Sequence, residues 1–179
     1  KLFKIQRTCM YDGPGIRSTL FFQGCNLRCK WCQNPESQSF HAEDLLNLSV
    51  KEIVETVMRD NLYYQATNGG ITLSGGEPLM QNPESLIILL KELKRNEMHI
   101  AVETSLHVPW SNIEKISDYI DLWLVDFKVI GSNELHKELT GRDNQLIQDN
   151  FAKLIKLNKK IELRMVIIPG YNDSEQNIK

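Results

Sequence analysis

The sequence has little excess charge of either sign and no long apolar run, and each absence excludes a class of partner. Lysine and arginine number 21 against 23 acidic residues, for a net charge of -2, so we expect no surface for nucleic acid or for an anionic membrane. No stretch approaches the roughly 18 apolar residues of a membrane-spanning helix, and the N-terminus lacks the pattern of a signal peptide. The sequence therefore predicts a cytoplasmic protein.

Cysteine is also scarce, but three of the four cysteines lie within eight residues, as Cys25-x3-Cys29-x2-Cys32. In a reducing compartment such crowding is more typical of a metal site than of disulfides. Three thiolates can hold three irons of a [4Fe-4S] cluster and leave the fourth iron open for a substrate. A zinc site with His41 as fourth ligand is an alternative, as are three unconnected buried cysteines.

Strand and helix patterns alternate along the chain. Apolar runs predict strands at residues 18–24, 70–76, 99–105, 121–128 and 161–170. Helices are expected at residues 49–61, 84–96 and 144–157, with a shorter one after Pro109. This order predicts a parallel sheet covered by helices, as an open sheet or as part of a barrel.

Polar residues follow the predicted strands at their C-terminal ends. The cysteine loop follows the first strand, Ser74–Glu77 the second and Glu103–Ser105 the third, while Asp126 and Lys128 end the fourth and Arg164 lies in the fifth. Because the C-terminal ends of parallel strands share one edge, these groups are expected to converge on one rim.

The cysteine spacing resembles the signature of the radical S-adenosylmethionine (SAM) superfamily. More narrowly, "YDGPGIRSTLFFQGCNLRCKWCQNPES" resembles the glycyl-radical-enzyme activating enzymes, and "TLSGGEPLMQ", "AVETSLHVPW", "YIDLWLVDFK" and "IPGYND" occur in the order of that family. The resemblance implies an α/β fold, a partial (βα)6-type TIM barrel. It also implies a single radical SAM core domain over residues 1–179, truncated at the C-terminus and without the ferredoxin-like insertion of some members.

The resemblance also assigns residues to roles, none of them as a catalytic acid, base or nucleophile. Cys25, Cys29 and Cys32 would hold the [4Fe-4S] cluster. SAM would contact Trp31, Cys32, Gln33, Gly75, Gly76, Glu77, Lys128, Ile130, Gly131, Ser132 and Arg164. Glu103, Thr104 and Asp126 would hold a monovalent cation, although Glu103 stands where the family has aspartate. Asp12 and Arg17 would face the partner protein.

The function that the resemblance implies is reductive cleavage of SAM. An external donor such as flavodoxin or ferredoxin would supply the electron, and the resulting 5'-deoxyadenosyl radical would create a glycyl radical on a partner such as pyruvate formate-lyase. Two alternatives stay open at this point. One is a radical SAM enzyme that acts on a small molecule, and the other is a non-catalytic zinc or iron-sulfur module.

Overall fold

Six strands form one sheet in the computed structural model, which describes residues 1–178 apart from the side chains of residues 176 and 178. In chain order the strands are β1 (Leu2–Cys9), β2 (Arg17–Phe22), β3 (Gly70–Gly75), β4 (Ile100–Thr104), β5 (Leu122–Asp126) and β6 (Ile161–Arg164). Each strand pairs with the next along the chain. β1 is antiparallel to β2, and β2 to β6 are parallel. Within the described residues β1 and β6 are edges, so the barrel is open.

Seven α-helices connect the strands or follow them in the described part of the chain. They are α1 (Val50–Met58), α2 (Asn61–Thr67), α3 (Pro83–Arg95), α4 (Trp110–Ile116), α5 (Asn133–Thr140), α6 (Gln145–Lys156) and α7 (Glu175–Ile178). None of these helices is both long and apolar enough to cross a membrane. The five strands and four helices expected from the sequence are present, but the strand expected over residues 161–170 ends at Arg164. β1, α2, α5 and α7 were not predicted.

Local capping fixes where the helices begin. Ser49 and Glu52 form the capping box of α1, in which each side chain accepts a hydrogen bond from the backbone of the other residue. At α3, the Asn82 side chain accepts from the Ser85 backbone N–H, and proline occupies the first helical position. α5 is capped before its first residue by Ser132, whose hydroxyl accepts from the Leu135 N–H, and after its last residue by Gly141, which has a φ of 81°.

The two faces of the sheet differ in polarity. Leu20, Leu73, Val102 and Trp123 pair across β2 to β5 and are buried in the main core, together with apolar residues of the helices. Side chains alternate between faces along a strand, so the neighbouring positions Thr19, Thr72 and Ala101 point to the opposite face. That inner face also carries hydroxyls and charges, which places the polar residues of the strand ends inside the open barrel.

Candidate functional site

A cavity of about 370 Å³ lies at the C-terminal ends of the parallel strands. Its volume is that of a small-molecule site. The lining includes the predicted residues Asp12, Cys25, Cys29, Trp31, Cys32, Gln33, Gly75, Gly76, Glu77, Glu103, Thr104, Asp126, Lys128 and Arg164. The expectation that polar groups from the strand ends converge on one rim is therefore confirmed.

The cysteine loop, residues 24–34, is held against the rest of the fold by its backbone. Gly24 N–H donates to the Ser37 carbonyl at 2.8 Å, and Arg28 N–H donates to the Thr140 carbonyl at 2.7 Å. Burial raises the pKa of the Cys25 thiol to about 12 and also raises the pKa of Cys29. These two thiols are thus protonated at neutral pH unless a cation such as iron displaces the proton.

Gly75 and Gly76 turn the chain at the end of β3 next to the cysteine loop. Gly75 has a φ of +98°, a region that favours glycine. A Cβ on Gly76 would lie 2.4 Å from the Gly24 carbonyl oxygen, and Glu77 N–H donates to the same oxygen at 2.8 Å. The cysteine loop and the β3 turn therefore meet backbone to backbone, and no side chain fits between them.

The Glu77 side chain is fully engaged by the protein. Its carboxylate accepts from the Thr104 hydroxyl at 2.7 Å, from the Ser105 hydroxyl at 2.8 Å and from the Ser105 and Leu79 backbone N–H groups at 3.0 and 3.2 Å. Burial raises its pKa, and the bonds from Thr104 and Ser105 oppose this rise. The carboxylate links the β3 turn to the end of β4. Only the backbone of Glu77 is therefore left to contact SAM.

Two pairs of opposite charges line the cavity. Lys128 Nζ donates to Asp126 Oδ2 at 2.9 Å, and Arg164 Nη1 lies 3.5 Å from Glu103 Oε1. The Ser74 hydroxyl donates to the other Glu103 oxygen. Burial raises the pKa of Glu103, and the charge of Asp126 adds to the rise. Burial alone would lower the pKa of Lys128, but Asp126 raises it, so the ammonium stays charged.

The three residues predicted for a monovalent cation do not present a shared set of free oxygens. Glu103 and Asp126 each face a cationic side chain. The Thr104 hydroxyl donates to Glu77, and its oxygen accepts from the Leu106 N–H at 2.9 Å. The cation site stays a prediction.

Three of the predicted SAM contacts lie outside this cavity. Ile130 and Gly131 donate their N–H groups to Asn177 Oδ1 at 2.6 and 3.2 Å, and the Ser132 hydroxyl caps α5. The β5–α5 connection that contains them adjoins Lys128. Lys128 thus lines the cavity, whereas Ile130, Gly131 and Ser132 do not.

The prediction that Arg17 faces a partner protein is wrong. Arg17 is fully buried, and its guanidinium donates to the Thr72 hydroxyl at 2.7 Å and to the carbonyls of Ile71 and Pro14 at 2.6 and 3.0 Å. Asp12, in contrast, lines the cavity and accepts from the Thr19 hydroxyl at 2.7 Å. Arg17 is a structural residue that stabilises the glycine-rich turn. Of the two residues, only Asp12 lines the cavity.

Two serines of the site were not assigned from the sequence. Ser74 bonds to Glu103, and Ser105 gives two of the bonds to Glu77. Both stand next to residues that were assigned, Ser74 before Gly75 and Ser105 after Thr104. Their position at strand ends was the available signal, but a serine there is also typical of a solvated turn.

A zinc site of the three cysteines and His41 does not form. His41 is exposed and lines a separate groove with Phe40, Leu46 and Leu48. Among residues 1–178, no three cysteine, histidine or acidic side chains are close enough to hold one metal ion.

Comparison with known proteins identifies the family. Residues 11–148 match the family described as "4Fe-4S single cluster domain". The pyruvate formate-lyase-activating enzyme of Clostridium pasteurianum is 35% identical over 179 residues, which cover 100% of this chain and 73% of that protein. The choline trimethylamine-lyase activating enzyme of Oleidesulfovibrio alaskensis is 32% identical over 235 residues, covering 99% and 75%. The chain belongs to the glycyl-radical-enzyme activating enzymes of the radical SAM superfamily.

A solved activating-enzyme structure has the same fold. The crystal structure of a domain of pyruvate-formate lyase-activating enzyme from Bacteroides vulgatus is 31% identical, with a TM-score of 0.56 over 61% of this chain and 66% of that one. This activating enzyme therefore has the partial barrel that the sequence predicted. Its cofactors are a [4Fe-4S] cluster and SAM.

The residues around the cavity fit these two cofactors. Three thiols, the soft ligands that iron-sulfur clusters take, line one wall. Trp31 lines the same cavity, and its indole N–H is buried without a hydrogen-bond partner in the described part of the chain. A buried unpaired donor is costly, so it suits a ligand with an acceptor atom.

Proposed function

We propose that this activating enzyme holds its cluster on Cys25, Cys29 and Cys32, binds SAM in the adjoining cavity and installs a glycyl radical on a pyruvate formate-lyase type of partner. One observation carries the proposal: the three thiols and the Gly75–Gly76 turn line the same cavity as two cationic side chains. When bound, the cluster supplies the electron that cleaves SAM reductively.

The residues of the chain have distinct tasks in this proposal. Lys128 and Arg164 suit the carboxylate of the methionine moiety, since both are half-buried cations on the cavity wall. The Gly75–Gly76 turn leaves its backbone open to close approach. Trp31 donates its free N–H to SAM, and Asp12 stands at the cavity wall beside the exposed Tyr11, where a partner loop would enter.

The type of partner is supported by the lengths of the alignments. The alignment with the choline trimethylamine-lyase activating enzyme has 235 positions against 179 residues in this chain, so at least 56 positions have no counterpart here. The alignment with the pyruvate formate-lyase-activating enzyme of C. pasteurianum has 179 positions. The absence of these extra positions favours a partner of the pyruvate formate-lyase type. It also favours an electron donor that is a separate cytoplasmic protein, such as flavodoxin or ferredoxin.

The experiment has two stages, both anaerobic. Protein reconstituted with iron and sulfide is analysed for metal and then incubated with SAM and dithionite, and about four irons per chain and release of 5'-deoxyadenosine are expected. A pyruvate formate-lyase with an intact radical site is then added, and electron paramagnetic resonance should show a glycyl radical doublet. Zinc in place of iron contradicts the cofactor assignment. 5'-Deoxyadenosine without a protein radical contradicts the partner and favours the small-molecule alternative.

A further inference from the structure

The cysteine loop is docked on the C-terminal end of α5. Arg28 N–H donates to the Thr140 carbonyl at 2.7 Å, and Lys30 N–H donates to the Leu139 carbonyl at 3.0 Å. These are carbonyls of the last helical turn, which have no partner inside the helix. The loop therefore satisfies the end of α5, and the residues on either side of Cys29 lie against that helix.

This docking gathers four cationic side chains into one surface, here named the basic patch: Arg28, Lys30, Lys137 and Arg142. All four are exposed. A Cβ on Gly141, one helical turn beyond Lys137, would lie 3.6 Å from the Arg28 Cβ, and Arg142 Nε donates to the Asn26 carbonyl at 3.5 Å.

Three acidic side chains lie among or beside the four cations. Glu138 pairs with Lys30 at 3.1 Å, Glu134 precedes Lys137 by three residues on α5, and Asp143 follows Arg142. Four cations against three anions leave the patch with one excess positive charge, although the whole chain has a net charge of -2.

The basic patch is also the surface next to the proposed cluster ligands. Cys29 is half-buried between the exposed Arg28 and Lys30. The fourth cysteine, Cys9, is buried in β1 and lies outside this loop. Each SAM cleaved consumes one electron, which the function proposed above assigns to a separate donor protein.

We propose that the basic patch is the docking surface for an acidic one-electron carrier protein. The proposal rests on the function above, because it requires a redox group on the cysteine loop. The reduced carrier loses one electron, the site held by the loop gains it, and no bond is formed or broken at the surface. Complementary charge speeds the encounter of two proteins and orients it, and salt weakens this effect.

The test measures binding of an oxidised acidic flavodoxin, so that no electron flows. The variant Lys137→Glu is compared with Lys91→Glu, since both lysines are exposed on helices and the charge change is equal, but Lys91 lies on α3. At low ionic strength we expect Lys137→Glu to slow association by about fivefold, and an Arg142→Glu variant to do the same. Lys91→Glu is expected to match the parent, and high salt to remove the differences.

Cleavage of SAM driven by dithionite separates this proposal from the function on which it rests. If dithionite yields 5'-deoxyadenosine in all variants but the flavodoxin binds them equally, the docking surface is wrong and the function stands. Absence of cleavage even in the parent chain overturns the function itself. Equal slowing by Lys91→Glu and Lys137→Glu indicates a response to net charge alone and also overturns the assignment of the patch.

Discussion

The Thr104 hydroxyl donates a hydrogen bond of 2.7 Å to the buried carboxylate of Glu77, and this bond joins the ends of two neighbouring strands. Ser105 completes the link with its hydroxyl and its backbone N–H. All the groups that face the carboxylate are donors, so the arrangement requires two acceptor oxygens. Glu77 thereby fixes the turn that carries Gly75 and Gly76 against β4.

Replacement of Glu77 by glutamine should destabilise the protein. The amide NH₂ would face a backbone donor, either the Leu79 N–H or the Ser105 N–H, and a buried unsatisfied group costs about 1–3 kcal/mol of unfolding free energy. Urea denaturation of Glu77→Gln measures the loss. The exposed Glu114→Gln on α4 is the matched control, and equal stability of the two variants would contradict the role of Glu77.

Replacement of Gly76 by alanine should damage the site more than the fold. The new Cβ would lie 2.4 Å from the Gly24 carbonyl oxygen, so the cysteine loop has to move. We expect the iron content after reconstitution to fall by at least half. Gly170→Ala is the control, because its φ of +77° makes alanine strained at about 1 kcal/mol while nothing lies within 4 Å of the added Cβ. Loss of iron in both variants would indicate a general effect of instability.

The sequence predicts the parallel sheet and the position of the candidate site at the C-terminal ends of its strands, because both depend on local patterns. The run from Leu122 to Val125 is apolar throughout, as in a strand buried on both faces, and Asp126 breaks the run where the strand ends. The cysteine spacing and the glycines beside Glu77 are equally local. These features place the site before any tertiary contact is known.

The remaining features depend on contacts between distant residues. Arg17 follows a glycine-rich turn and has the pattern of a surface residue. Its guanidinium nevertheless donates hydrogen bonds to the Thr72 hydroxyl and the Ile71 carbonyl, which lie 55 and 54 residues further along the chain. β1 has mostly polar or half-exposed positions and takes its strand form by pairing with β2. α5 has clear caps at Ser132 and Gly141, yet its eight residues are too few for a strong helical period.

The buried Arg17 yields a stability prediction. Burial lowers the pKa of its guanidinium to about 10, so the side chain stays charged at neutral pH. Arg17→Ala would leave the Thr72 hydroxyl and the carbonyls of Pro14 and Ile71 without this donor, and we expect a loss of about 3 kcal/mol or more of unfolding free energy. Thermal unfolding measures the loss. The exposed Arg95→Ala is the control. Similar melting temperatures of the Arg17→Ala and Arg95→Ala variants would contradict the structural role of Arg17.

The pair of Arg7 and Asp60 predicts a stability difference that depends on pH. Arg7 donates two bonds of 2.6 Å to the Asp60 carboxylate, and these bonds lower the pKa of Asp60. A lowered pKa in the folded state gives a stabilisation that is full above the ordinary value of 3.8 and is lost as the pH falls through the folded value. Asp60→Asn should therefore be less stable than the parent at pH 6 and approach it at pH 3. Urea denaturation at both pH values tests this, with the exposed Asp118→Asn as control.

The four cysteines permit a direct test of the proposed ligand set. Substitution of Cys25, Cys29 or Cys32 by alanine should abolish cluster assembly, because two thiolates do not hold a [4Fe-4S] cluster securely. Cys9 offers the matched control, since it is buried in β1 and its Sγ contacts the Gln6 carbonyl at 3.5 Å, outside the cysteine loop. Cys9→Ala should keep the iron content of the parent and lose only a little stability. Iron and sulfide analysis with absorbance near the cluster band gives the readout, and a loss of iron in Cys9→Ala equal to that in Cys29→Ala would remove the basis for assigning the cluster to the loop.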